Sequence, residues 1–144
     1  MNFWPPQIVA IDAGRDAIRV GERRVCITLP TGGGKTVVMQ ELAAYVLGRG
    51  GNVAIYSIRK LLTEQITKGL SKRGFDHGVR AAEYRSEREK ALQLCSFQTE
   101  HARCVKSSKW TLHDARLALV DESHVNKGPA AEEIIKPHVA AGAT

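Results

Sequence analysis

The stretch Leu29-Pro30-Thr31-Gly32-Gly33-Gly34-Lys35-Thr36 restricts this chain more than any other. The run Val25-Cys26-Ile27-Thr28 ahead of it has little alternation, as expected of a buried strand. After it, Val37 to Leu47 repeats apolar residues at three- and four-residue steps, the period of a helix, and Gly48 is a ready stop. A glycine-rich turn between a strand end and a helix start has the geometry of a phosphate cradle. Without Cβ atoms the glycines let successive backbone N–H groups converge on one anion, and the helix N-terminus adds its positive end. Lys35 can then reach the outer phosphates of a nucleotide, and the Thr36 hydroxyl can ligate Mg²⁺.

The 144 residues suffice for one domain with one core, and 43% hydrophobic with 25% charged is ordinary for a globular protein. No apolar run approaches the roughly 20 residues that span a bilayer, and the N-terminus lacks a signal-peptide pattern. Cys26, Cys95 and Cys104 show no metal spacing, so Cys26 and Cys95 are expected as small core residues of a reducing, cytoplasmic compartment. A net charge of +6 fits a polyanionic partner.

In chain order, Phe3-Trp4-Pro5-Pro6-Gln7 precedes a helical pattern through Ile8, Ile11, Ala17 and Ile18, with Arg15, Arg19, Arg23 and Arg24 making one face or end basic. Val53 to Ser57 reads as a short buried strand, and Leu61 opens a helix to about Lys72. Residues 73–90 read as a solvated, charge-balanced segment, with a short strand at Val79-Arg80-Ala81-Ala82. Ala91 to Phe97 reads as another strand, and Gln98-Thr99 as the helix start after it. Lys106, Lys109 and Trp110 follow in a polar loop, where Trp110 either stacks a base or packs on its own domain. Ala115 to Val120 is the most strand-like run and delivers Asp121-Glu122-Ser123-His124. An acid directly after a buried strand, paired with the glycine turn, suits Mg²⁺ at Asp121 and water polarisation by Glu122. The tail from Pro129 to Gly142 is helical apart from Pro137, and Ala143-Thr144 reads as the beginning of a strand.

PTGGGKT and DESH together resemble motifs I and II of superfamily 2 DEAD/DEAH-type helicases, of the restriction-type and phage-like sort. The resemblance implies a RecA-like P-loop α/β three-layer sandwich with a mainly parallel sheet, truncated at its C-terminal end. It implies that residues 1–144 are the first motor lobe, with the second lobe absent. ATP and Mg²⁺ are the implied cofactors, and nucleic acid, DNA rather than RNA, the implied partner. Pro30 to Thr36 would cradle the nucleotide, with Lys35 and Glu122 catalytic and Thr36 and Asp121 on the metal. His124 would link nucleotide state to nucleic-acid contacts. Gln7 matches the glutamine that grips adenine upstream of motif I, although a helix-capping Gln fits the same residues. Arg59 and Lys60 match motif Ia, and Gln98 and Thr99 the motif Ib region, as nucleic-acid contacts; for Thr99, simple helix capping stands beside this. Gly142-Ala143-Thr144 is readable as motif III, but the helix before it places that motif downstream. A lobe alone is expected to bind ATP without unwinding a duplex. A catalytically silent binding module and a P-loop kinase are the rival classes, the kinase disfavoured by Leu29 and DESH.

Overall fold

The computed structural model describes residues 2–29, 34–57, 60–121 and 129–144, with backbone only at positions 60, 61, 129 and 130. Helix α1 (Pro5–Val20) begins with two prolines, whose fixed φ suits the first helical turn. Its end is equally local. Gly21 takes φ 78°, and the N–H groups of Gly21 and Glu22 donate to Ile18 and Ala17. Helix α2 (Lys35–Leu47) follows Gly34, then come β1 (Val53–Ser57), α3 (Lys60–Lys72) and β2 (Gly78–Arg80). Next are β3 (Leu92–Ser96) and α4 (Phe97–Glu100), which widens into a π-helical segment at His101–Lys106. Strand β4 (Leu117–Val120) and helix α5 (Pro129–Ala140) complete the chain.

Among the described residues four strands form one sheet in the order β2-β3-β1-β4, every pair parallel. All five residues of the central β1 are buried, which explains why it reads as an unbroken apolar run. Its alternate side chains feed two cores. Val53 and Ile55 face the core built with α1, α2 and α3, through Ile11, Leu42, Val46 and Leu70. Ala54 and Tyr56 face a smaller core with Cys95, Phe97 and, from α5, Ala131 and Ile134. Helices thus cover both faces, giving three layers with an all-parallel α/β sheet.

Three sequence expectations are corrected. Val25-Cys26-Ile27-Thr28 belongs to no ladder. It lines a cavity of about 580 Å³ together with β4 and residues of α1, α2 and α5, and among the described residues no strand pairs with its backbone. For the same reason Cys26 is exposed and not a core residue, whereas Cys95 is buried as expected. The arginines expected to make one face or end of α1 basic each have a partner. Arg15 reaches Glu41, Arg19 pairs with Asp16, Arg24 with Glu132, and Arg23 donates to the Gly142 carbonyl. Finally, the segment 73–90 is not solvated throughout, because Arg80 at the end of β2 is 2% exposed. At the chain's last residue, Thr144 donates its N–H to Arg116 and accepts from the Ala118 N–H, bridging the outer edge of β4.

Candidate nucleotide-binding site

Because β1, β3 and β4 run parallel, their carboxyl ends open on one edge of the sheet, where ligands of open α/β sheets gather. Asp121 is fixed there by its N–H, which donates to the Tyr56 carbonyl at 3.1 Å. At the same edge Gly34 takes φ 75° and starts α2, with the Gly34 carbonyl accepting from Val37 and Val38. Only glycine holds that conformation without strain. A Cβ there would also run into the Gln7 amide nitrogen. Lys35 and Thr36 stand exposed on the first turn of α2. Lys35, Leu29 and Asp121 line one and the same cavity. The fold therefore brings a cation at a helix N-terminus and a carboxylate at a strand end to a single space.

Gln7, in the first turn of α1, is buried, with its side chain against Gly34. Its Oε1 accepts from the Trp4 N–H at 2.8 Å, which leaves the amide NH₂ directed at Gly34. Gln7 thus takes the capping role at its oxygen, and its nitrogen faces Gly34. Lys60 begins α3 just after β1. Gln98 is exposed and Thr99 buried in the turn after β3. The cap of that turn is Ser96, whose Oγ accepts from the Thr99 N–H, and not Thr99 itself. Pro30, Thr31, Gly32, Gly33, Arg59, Glu122 and His124 lie outside the described residues.

Asp121 and Thr36 offer a carboxylate and a hydroxyl, the hard oxygen donors that suit Mg²⁺. Among the described residues no group of three or more His, Cys, Asp or Glu is placed to hold a metal ion.

Sequence reasoning missed a second polar layer beneath the sheet. Arg80 Nε meets Glu100 Oε1 at 2.6 Å with both side chains essentially out of solvent. Arg80 also donates to the Thr111 carbonyl at 2.6 Å, and the Cys104 thiol donates to Glu100 Oε2 at 2.9 Å. Burial pushes the Glu100 carboxyl above its ordinary range despite Arg80, and holds the Cys104 thiol up at about 12. Beside this layer, Tyr56 and His138 share a 2.6 Å hydrogen bond. Burial raises the Tyr56 phenol well above its ordinary range, so the bond joins a neutral phenol to the His138 ring. Burial and neighbouring cationic groups lower the His138 pKa to about 4. Trp110 packs on its own domain, with the Arg80, Arg88 and Arg103 guanidiniums 5.2, 5.0 and 4.3 Å from its ring centre.

The all-parallel three-layer sheet, with its cation and carboxylate at one end, defines a RecA-like α/β lobe. The chain matches the family model of the type III restriction enzyme res subunit over residues 1–141 and belongs to that family, whose domain is the helicase-like N-terminal lobe. No curated protein matches the chain. Among the described residues no helix is long and apolar enough to cross a membrane.

Proposed function

We propose that this chain binds ATP with Mg²⁺ and hydrolyses it as the first motor lobe of a nucleic-acid helicase or translocase. The observation that carries the reading is the meeting of Lys35 and Asp121 on one cavity at the carboxyl edge of the sheet. Membership of a helicase-like family supports it.

In this reading Lys35 offers a point charge to the β- and γ-phosphates, while the first turn of α2 adds N–H groups and its dipole. Thr36 and Asp121 would hold Mg²⁺, which when bound would supply positive charge to the phosphate oxygens. Glu122 follows Asp121 directly, and its carboxylate orients the water that displaces ADP from the γ-phosphoryl group, giving ADP and phosphate. Pro30 to Gly34 wrap the phosphates, and His124 reports their state to the nucleic-acid side. Lys60, Gln98 and Thr99 stand on the same sheet edge, and with Arg59 they meet the phosphodiester backbone, a sequence-independent contact. DNA is the substrate favoured by the restriction-enzyme kinship. A second RecA-like lobe, in the same chain or in trans, supplies the far-side arginine, a group worth about 10³–10⁵ in rate in P-loop systems.

Asp121→Asn and Glu122→Gln separate the roles. The first should weaken Mg²⁺-dependent ATP binding, since an amide is a poorer ligand for a hard cation. The second should leave binding nearly intact and depress hydrolysis measured as phosphate release. Loss of binding in Glu122→Gln with none in Asp121→Asn would overturn the assignment.

A further inference from the structure

A surplus of positive charge sits in one short stretch of the chain. Between Glu100 and Asp114 the sequence holds Arg103, Lys106 and Lys109 and no carboxylate, against a net charge of +6 for the whole. The charged stretch ahead of β3 adds nothing to that surplus, because Glu83, Glu87 and Glu89 offset Arg85, Arg88 and Lys90. Three of the α1-region arginines are ion-paired, but among the described residues none of Arg103, Lys106 and Lys109 is.

The fold lines these cations up. Helix α4 and the π-helical segment run without a break from Phe97 to Lys106. Their exposed residues are Gln98, Ala102 and Lys106, four apart and so on one face. That face begins at the carboxyl edge of the sheet, where Ser96 caps α4. It leads toward the opposite edge, which the chain reaches at His113, bonded to the Ala91 carbonyl ahead of β3. Past Lys106 the backbone turns through Ser107, right-handed at φ −102°, and Ser108, left-handed at φ 55°. Neighbouring residues of opposite hand aim their N–H groups to one side, the form of an anion-binding nest. Here the N–H groups of Ser108 and Lys109 meet no acceptor among the described residues. Trp110 completes the surface. Its half-buried ring orders the Arg103 guanidinium 4.3 Å from its centre without neutralising it.

We infer that the track from Gln98 along Lys106 to the Ser107–Lys109 turn binds the phosphodiester backbone of a DNA strand. It is a second contact, rests on the nucleic-acid reading of the carboxyl edge, and carries that strand down the helical face. From Gln98 to Lys106 the helix covers about 12 Å at its usual rise. That is the length of about three phosphodiester steps of a B-form strand. Ala102, midway, has no side chain to hold the strand off. Gln98, Ala102, Lys106, Ser107, Ser108 and Lys109 are all exposed, and none is a large apolar residue. A protein partner would need an apolar centre to its interface, whereas a phosphate chain needs only cations and N–H donors. The surface lies beside Arg80 of β2, and three strand spacings, about 14 Å, separate β2 from β4. A strand held there leaves the Lys35–Asp121 cavity open.

Trp4 and Trp110 are the two tryptophans of the chain, so in a Trp4→Phe background the indole emission reports on this surface. The full chain in that background is titrated with an oligothymidylate of about twelve nucleotides at several salt concentrations. Trp110 emission and the anisotropy of a labelled oligomer are both followed. A saturable emission change is expected, and Lys106→Gln combined with Lys109→Gln should abolish it. The same pair should weaken binding roughly tenfold at low salt and lower the salt slope by about 1.4. Both lysines are exposed, so the circular dichroism spectrum should not change. If the pair misfolds, Lys106→Gln alone, with a slope lower by about 0.7, decides. Unchanged affinity and slope in a folded variant would overturn the inference. Arg59→Ala with Lys60→Ala then tells separately whether the carboxyl-edge contacts stand, and no binding by the parent chain would overturn both. An equal emission change with inorganic phosphate would reduce the surface to a small-anion site. Tighter binding of an oligoglutamate of equal charge would assign it to an acidic protein. Either result overturns the inference.

Discussion

The two faces of the sheet are built on different physics. The face under α1, α2 and α3 is closed by aliphatic side chains such as Ile11, Leu42, Ile55 and Leu70, each nearly sealed from water. The face under α4 and α5 encloses a charged pair, two thiols, a phenol and an imidazole among a few apolar residues. Aliphatic packing is non-directional and forgives small changes of shape. A buried polar layer is held by mutual satisfaction, so the loss of one member leaves another stranded. The first face should therefore be tolerant, and the second brittle and sensitive to pH.

The largest effect expected from this contrast is at Glu100. Glu100→Ala leaves the Arg80 guanidinium buried without its counter-charge, at a cost of about 3–5 kcal/mol. The apolar double replacement Arg80→Met with Glu100→Leu should recover most of that loss in urea unfolding. A single variant costing less than the double would show that the pair is not mutually dependent.

Next in size is the response to acid. The His138 pKa falls from 6.5 in the unfolded chain to about 4 in the fold, so between those values the unfolded state binds more protons. The contribution of His138 is thus present above pH 6.5 and is lost as pH falls toward 4, at most roughly 3 kcal/mol for a shift of this size. Glu100, raised by burial, acts with the opposite sign, because its protonation on acidification favours the fold. Urea midpoints across this window should decline on balance, and His138→Gln should flatten the decline. An unchanged slope in the variant would locate the acid sensitivity elsewhere.

The smallest change tests the tolerant face. Ile55→Val removes one methylene from the aliphatic core and should cost about 1 kcal/mol, with the transition remaining cooperative. A loss comparable with that of Glu100→Ala would erase the proposed difference between the faces.

The same contrast decides what the sequence made legible. β1, β3 and β4 announced themselves because strands buried on both sides need continuous apolar runs, and the helices because one face must repeat at the helical period. The positions of Lys35 and Asp121 at element ends were legible, and the fold retains them on one cavity. Val25–Thr28 misled for a physical reason. Apolarity prepares a segment for a sheet, but strand identity also requires a neighbouring backbone. Arg80 and Glu100 were hidden because their meeting depends on register. Arg80 pairs opposite Cys95 in the β2–β3 ladder, and Glu100 follows within the turn of α4. Nothing in a run of Arg and Glu residues marks which arginine will be carried inside.

The most direct test of the central claim is calorimetric titration of Mg·ATP into the full chain and its Lys35→Ala variant. Lys35 is exposed on the first turn of α2, so its removal should leave the protein folded with an unchanged circular dichroism spectrum. A charge-assisted contact to phosphate is worth about 1.5–3 kcal/mol, so affinity should fall by roughly 10- to 100-fold. Equal Mg·ATP affinity in the two folded proteins would contradict the assignment of this sheet edge as a nucleotide site.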